Sequence, residues 1–299
     1  MKLLAGPASQ EIGRKIAELL NLDQLKLQFK YFFDHETYLR IEGDINKEEI
    51  ILVQNTFYPQ EKHLVEAFLL SKTLKEMGAG KIIAVIPYLC YARADRRRIE
   101  GEVISHKIVL ELLQNVGVDS VITVNVHNTA AFTKFASEIE KYDLNAFEFL
   151  AKQIKSPYNK EWLVVGPDKG AAKNARLVAQ VLETNYYWLE KYRDPETHEV
   201  KFEEPDFNCN GEDVLIVDDI VSSGGTVIKA AQMLKNLGAK SVSFLVVHSV
   251  ATKETIAKMK QEGIEKIFVS STIPPAEEKE VEVIDISPLL AQFIKEKFL

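Results

Sequence analysis

Short apolar runs rich in Val and Ile alternate along this chain with longer amphipathic stretches. The runs Ile50–Val53, Lys81–Ile86, Ser120–Val124, Trp162–Val165, Val214–Val217 and Ser241–Val247 read as buried strands. The stretches Lys62–Met77, His106–Asn115, Ala171–Leu182 and Thr226–Leu237 read as helices. Gly78, Gly117 and Gly238 follow three of the helical stretches, where C-terminal caps are expected. Strand–helix alternation of this kind predicts an α/β fold, with mostly parallel sheets flanked by helices.

The pattern also repeats. Ile50–Ile86 contains "IILVQNT" and, further on, "LKEMGAGKIIAVI"; Val214–Val247 contains "VLIVDDI" and then "LKNLGAKSVSFLVV". Each is a strand, a loop, a helix, Gly-Ala and a second strand, which predicts two copies of one α/β domain. Only the second copy has acidic residues and glycines after its first strand; the first has Gln54, Asn55 and Thr56 there. A phosphate site is therefore expected in the second half, with the first half turned to another use. The boundary is placed near Tyr142–Asn145, giving domains 1–143 and 144–285, with no linker of biased composition.

At 299 residues and 46% hydrophobic content, the chain can build two ordinary cores. Its net charge of −7 argues against general nucleic-acid binding, so a basic cluster here would be local and aimed at a small anion. Cys90 and Cys209 lie far apart with no metal-like spacing, and the expected compartment is a reducing cytoplasm. Met1–Leu4 lead into a polar stretch that gives neither a signal-peptide core nor a membrane span.

The most informative segment is Val214–Thr226, "VLIVDDIVSSGGT". A strand ends on Asp218 and Asp219, a loop holds Gly224 and Gly225, and a helix begins near Thr226. Ligands of open parallel sheets sit at the carboxyl ends of the strands. Glycines let the backbone close on an anion, and the unpaired N–H groups of a helix N-terminus bind phosphate. Ser222, Ser223 and Thr226 add hydroxyl donors. The two aspartates repel phosphate and suit sugar hydroxyls or a hydrated cation. The segment lacks the lysine of a Walker loop and the spacing of a dinucleotide fingerprint. It resembles the phosphoribosyl pyrophosphate loop shared by phosphoribosyltransferases and the synthetases that make their substrate.

Four further segments are similar to the ribose-phosphate diphosphokinase (phosphoribosyl pyrophosphate synthetase) family. "FFDHE" at Phe32–Glu36 reads from physics alone as a turn between strands. The resemblance implies that Phe32, Asp34 and Glu36 hold adenine across a subunit interface. "IPYLCYARADRR" at Ile86–Arg97 resembles the family's segment that grips the triphosphate, through Arg93 with Arg96 and Arg97 nearby. Ala94 departs from the usual Gln. "NVH" at Asn125–His127 matches a family Asp-Leu-His that places His127 near the phosphates and Mg²⁺, with Asn125 departing from the Asp. A lone His is otherwise more often a packed or capping residue. "GPDKGAAK" at Gly166–Lys173 offers Asp168 as a Mg²⁺ ligand or a helix N-cap, roles one residue can combine.

The discriminating feature is "YYWLEKYRDPETHEVKF", which resembles the mobile catalytic arm of the synthetases, with Lys191 and Arg193 as its signature pair. The plain alternative is an exposed hairpin with incidental charges. The resemblance implies diphosphate transfer from ATP to C1 of ribose 5-phosphate, with Mg²⁺ as cofactor and a homo-oligomer of at least two subunits. It also implies that residues 286–299, with a helix over Pro288–Lys297, pack back on the first domain. Bacterial and animal members continue past this helix into a tail of a regulatory site, so weak allosteric inhibition by ADP is expected. A phosphoribosyltransferase and a non-catalytic regulator are the alternatives; the regulator would be expected to lack Lys191, Arg193 or Asp168.

Overall fold

The apolar runs become the central strands of parallel sheets. The computed structural model describes residues 1–158, 160–193, 200–203, 205–276 and 278–299. The chain divides into one unit of Met1–Asn145 with Ser287–Leu299 and another of Ala146–Ile286.

The first unit runs β1 (Lys2–Ala5), α1 (Gln10–Leu20), β2 (Lys26–Tyr31), β3 (Thr37–Glu42), β4 (Glu49–Val53), α2 (Gln60–Glu76), β5 (Lys81–Val85), α3 (Ser105–Asn115), β6 (Ser120–Val124), α4 (Thr129–Lys134) and β7 (Glu140–Leu144). A five-stranded parallel sheet has the order β1-β4-β5-β6-β7. Its central strands bury both faces: Ile50, Ile51, Val53, Ile82, Ile83 and Val85 are wholly inaccessible. Unbroken Val/Ile runs are what such strands require. Strands β2 and β3 stand apart from this sheet as an antiparallel ribbon, closed by the turn that contains Phe32–Glu36. The terminal helix Ser287–Phe298 packs on α1. The ring of Tyr142 lies 5.2 Å from that of Phe293 and 5.8 Å from that of Phe298.

The second unit runs α5 (Phe147–Tyr158), β8 (Trp162–Gly166), α6 (Ala172–Leu182), β9 (Tyr186–Trp188), β10 (Lys191–Arg193), β11 (Val200–Phe202), β12 (Asp213–Val221), α7 (Gly225–Asn236), β13 (Ser241–Ser249), α8 (Lys253–Gln261), β14 (Ile264–Ser270) and β15 (Glu282–Ile284); the terminal helix is α9. A six-stranded parallel sheet has the order β15-β14-β13-β12-β8-β9. Strands β10 and β11 form a separate antiparallel hairpin. The fold is thus α/β, two parallel sheets flanked by helices.

The repeat seen in the sequence is a repeat of structure. In both units its two strands are adjacent and parallel, with Ile50 beside Ile82 in one and Val214 beside Val242 in the other. Gly78, Gly117 and Gly238 take the left-handed backbone of helix caps. Two boundaries differ from the expectation. The helix expected from Ala171 opens with a 3₁₀ turn, Lys169–Ala171, because Asp168 caps the Ala171 N–H. The strand expected to stop at Val217 continues through Asp218 and Asp219 to Val221, because β13 also runs on and pairs with it to Ser249. Among the described residues, no helix is long and apolar enough to cross a membrane.

Candidate active site

In the second unit the acidic pair stands at the carboxyl end of the central strand β12. Asp218 Oδ1 accepts from the Asp219 N–H at 2.9 Å. Burial, and after it the charges of Asp219 and Asp168, hold the Asp218 carboxyl well above the usual carboxylate range. With Asp168 after the neighbouring strand β8, these carboxyl groups favour hydroxyl donors or a cation.

Ser222, Ser223 and Gly224 follow, and α7 opens at Gly225 with no side-chain cap. The first-turn N–H groups, from Gly225 to Val227, have no acceptor within the helix. They stand beside the exposed Ser222 and Ser223 and the half-buried Thr226, an arrangement that can accept an anion. The two glycines differ. Gly224 is left-handed (φ 71°), and a Cβ there would meet Thr255 Cγ2 at 3.1 Å and Met259 Cγ at 3.2 Å. At Gly225 a Cβ would meet nothing nearer than Ser223 Oγ at 3.8 Å, so that side of the loop is open.

Asp168 follows β8, the neighbour of β12. Its Oδ1 accepts from the Ala171 N–H at 3.1 Å, and its Oδ2 accepts from the Lys191 ammonium. The carboxylate is therefore both an N-cap and a charge partner. A Cβ at Gly170 would come within 3.0 Å of Asp168 Oδ1, which explains the small residue after "GPDK". Lys191 is the first residue of β10, paired with Phe202 of β11. The hairpin base is anchored by Leu189, which is fully buried and donates from its N–H to Gly166 O at 3.0 Å. The rings of Tyr187 and Phe207 stack 4.3 Å apart at the same base. The backbone of Arg193 pairs with Val200, and its side chain lies outside the described part of the structure, as do residues 194–199 between the two strands.

In the first unit Arg93, Arg96 and Arg97 are exposed on the segment that leaves β5, and Cys90 beneath them is buried. Burial pushes the Cys90 thiol up to about 12, so it is a neutral packing group and no nucleophile. Ala94 has a backbone role: its N–H donates to Tyr91 O at 3.0 Å and its carbonyl accepts from His106 N at 3.2 Å. Asp95 accepts from the Asn128 side chain, which ties this segment to the turn after β6. That turn carries His127, exposed, just after Asn125 with a left-handed φ of 42°. Asn is among the few residues that take this backbone at low cost.

His127 and Asp168 belong to different units, and among the described residues no group of three or more His, Cys, Asp or Glu is arranged to hold a metal. Asp168 nonetheless offers a carboxylate that fits Mg²⁺, which takes one or two carboxylates and completes its shell with water and substrate phosphates. Phe32 is 45% and Phe33 104% exposed on the ribbon turn, with Asp34 and Glu36 beside them. Asp34 Oδ1 accepts from the Glu36 N–H at 3.2 Å.

Sequence reasoning missed His106. It lies fully buried with its ring 6.1 Å from both Phe132 and Phe135. It was read only as the start of a helix, because helical period alone does not distinguish a packed His from an apolar residue.

Comparison with known proteins agrees with this arrangement. Residues 1–117 match the family model described as the N-terminal domain of ribose phosphate pyrophosphokinase, and residues 136–275 match the phosphoribosyl transferase domain. A ribose-phosphate pyrophosphokinase of Saccharolobus solfataricus is 35% identical over 97% of this chain and 99% of that protein. One from Sulfurisphaera tokodaii is 36% identical over 98% of this chain and 100% of that protein. The crystal structure of phosphoribosylpyrophosphate synthetase from Mycobacterium smegmatis superimposes with a TM-score of 0.88 at 25% identity, covering 99% of this chain and 98% of that one. The chain belongs to the ribose-phosphate pyrophosphokinase family.

Proposed function

We propose that this enzyme transfers the diphosphate of ATP to the 1-hydroxyl of ribose 5-phosphate, giving 5-phosphoribosyl 1-diphosphate and AMP. The observation that carries the reading is the grouping at the end of β12 and β8: an open helix N-terminus, three carboxylates and a lysine on a separate hairpin.

The N–H groups of Ser223–Thr226 and the hydroxyls of Ser222, Ser223 and Thr226 bind the 5-phosphate, and Asp218 and Asp219 take the 2- and 3-hydroxyls. Carboxyl oxygens of this kind accept from sugar hydroxyls. On the nucleotide side, Phe32, Asp34 and Glu36 hold adenine, and Arg93 and Arg96 take phosphate oxygens with His127 beside them. Asp168 is the proposed carboxylate ligand of Mg²⁺ and His127 a proposed contributor from the nucleotide side; the ion when bound would supply charge neutralisation at the phosphates.

The 1-oxygen of the ribose attacks the β-phosphorus, and the hydroxyl proton is released to solvent. The bond from that phosphorus to the bridging oxygen of AMP breaks, and AMP leaves with the electron pair. Positioning and charge supply most of the acceleration in such transfers. Lys191 and Arg193 place positive charge where negative charge builds and exclude water from the reacting phosphorus. A phosphoribosyltransferase would leave the arginine segment and the ribbon turn of the first unit without a use.

The ribbon turn also supports a homo-oligomer of at least two subunits. Phe32 and Phe33, with Tyr31 (46% exposed) and Tyr38 (41%), form an exposed aromatic surface on the ribbon, the kind of patch that a partner covers. The test of the reaction is AMP release from ATP that depends on ribose 5-phosphate. ATP hydrolysis independent of the sugar phosphate, or phosphoribosyl transfer to a base without ATP, would refute it.

A further inference from the structure

Three polar residues after β4 are as buried as the apolar core around them: Gln54, Asn55 and Thr56 are 1%, 2% and 0% exposed. They stand in the first repeat where the second has its acidic pair. Buried polar side chains are tolerated only when hydrogen-bonded, and the bonds made here run to two different segments proposed to hold nucleotide.

The first set holds the arginine segment. Thr56 Oγ1 donates to Tyr88 O at 2.6 Å and accepts from the Cys90 N–H at 2.9 Å. Asn55 Oδ1 accepts from the Tyr88 N–H at 3.0 Å and from the Thr56 N–H at 3.0 Å. The backbone of residues 88 and 90, two turns of chain before Arg93, is thus fixed by two side chains from the neighbouring strand end.

The second set holds the ribbon. Gln54 Nε2 donates to Glu66 Oε2 at 3.1 Å and to His63 O at 3.2 Å. Glu66, on α2, is 0% exposed, and its Oε1 accepts from Thr37 Oγ1 at 3.1 Å. Thr37 is the residue after Glu36, at the start of β3. Gln54 Oε1 in turn accepts from the Ala8 N–H at 3.3 Å, and a Cβ at Gly6 would fall 2.0 Å from that oxygen, so the chain there is shaped around the amide.

We propose that Gln54, Asn55, Thr56 and Glu66 are positioning residues for ATP, a buried hub that holds the arginine segment for the chain's own site and the Phe32–Glu36 turn for the site it shares with a partner. The loop that grips a ligand in the second repeat has become, in the first, the frame that holds ligand-gripping segments. The inference rests on the reading of the first unit as the nucleotide-binding half.

Thr56→Val removes both hydroxyl bonds at constant shape, and Thr56→Ser restores them. Thr37→Val cuts the ribbon from Glu66 at a half-buried surface position, where folding is least at risk. ATP affinity by calorimetry, KM for ribose 5-phosphate and Tm are measured for each. Thr56→Val and Thr37→Val should each weaken ATP binding by about tenfold, the scale of one lost buried hydrogen bond, with an unchanged KM for ribose 5-phosphate. Thr56→Ser should bind ATP as the parent does. A general structural role would instead lower Tm and weaken both substrates together. Folded Thr56→Val and Thr37→Val proteins with parental ATP affinity would overturn the hub; if Thr56→Val does not fold, Thr37→Val decides alone. Failure of the parent enzyme to bind ATP is a separate result, which would refute the nucleotide reading and the hub with it.

Discussion

Lys191, on the β10–β11 hairpin, donates to the Asp168 carboxylate at the end of β8. In the proposed reaction these residues have different partners, the transferring diphosphate for the lysine and Mg²⁺ for the carboxylate. Lys191→Ala should cut kcat by at least about a hundredfold, the scale of a lost charge-stabilising donor, and Arg193→Ala should do likewise. The KM for ribose 5-phosphate should change far less, since neither residue belongs to the phosphate loop. Near-normal kcat in both single variants would remove the hairpin from the mechanism.

The same pair predicts a change in metal binding that does not depend on turnover. Taking a cation away from a carboxylate favours another cation there. Lys191→Ala should therefore bind Mn²⁺, a spectroscopic substitute for Mg²⁺, more tightly than the parent, and Asp168→Asn more weakly. Paramagnetic resonance titration of free Mn²⁺ measures this directly. Equal affinities in all three proteins would mean that Asp168 does not hold the ion.

The two glycines of the proposed phosphate loop should behave differently. Gly225→Val places a β-branched side chain on the open face where an anion approaches the α7 N–H groups. The KM for ribose 5-phosphate should rise strongly, with ATP binding and Tm largely kept. Gly224→Val meets a left-handed backbone and the side chains of Thr255 and Met259, so it should lower Tm by several degrees. Equal loss of affinity for both substrates in Gly225→Val would break the assignment of the phosphate to this loop.

Much of the fold was legible because its central strands are continuous Val/Ile runs, a pattern set by burial on both faces; Ser120–Val124 was placed without error. The ribbon β2–β3 was visible only as a turn, since "KLQFKY" and "TYLRIE" mix charged and aromatic residues with the few apolar ones, Leu27, Leu39 and Ile41, that reach the core. The extension of β12 through Asp218 and Asp219 was hidden because carboxylates usually end strands; here the pairing with β13 outweighs local propensity. Of the site, the phosphate loop announced itself through residue types that chemistry restricts. Lys191, Arg193, Phe32 and His127 came forward only by resemblance, because single charges and rings carry no local signature. The link from Thr37 through Glu66 to Gln54 was not legible at all, since it depends on side chains brought together from β3, α2 and the end of β4.

His106 should impose an acid limit on stability. Burial lowers its pKa from 6.5 to about 4, partly offset by the negative charge of Asp95. Below pH 6.5 the unfolded chain takes up a proton that the folded chain refuses, so this stability is full above that pH and is lost as pH falls towards 4. The change is at most about 3 kcal/mol across that window. Urea unfolding from pH 7 to pH 4.5 should show His106→Leu losing less stability on acidification than the parent. Parallel curves would mean that His106 titrates normally.

Assembly can be tested through function. Phe32 and Phe33 project from a ribbon that stands apart from the main sheet of its own unit, and their exposure matches a surface that is completed by another copy. If the Phe32–Glu36 turn of one subunit completes the nucleotide site of its partner, each site draws on two chains. A Phe32→Ala chain then damages its partner's site, whereas a Lys191→Ala chain damages its own. In a hybrid dimer both lesions can fall in the same site and leave the other intact. Mixing the two inactive proteins under exchange conditions should therefore restore up to about a quarter of parental activity: random pairing makes half the dimers hybrid, and half the sites in each are whole. Two lesions within one chain should never complement in this way. A fully active monomer in sedimentation velocity, or no recovery despite proven subunit exchange, would show that each chain builds its site alone.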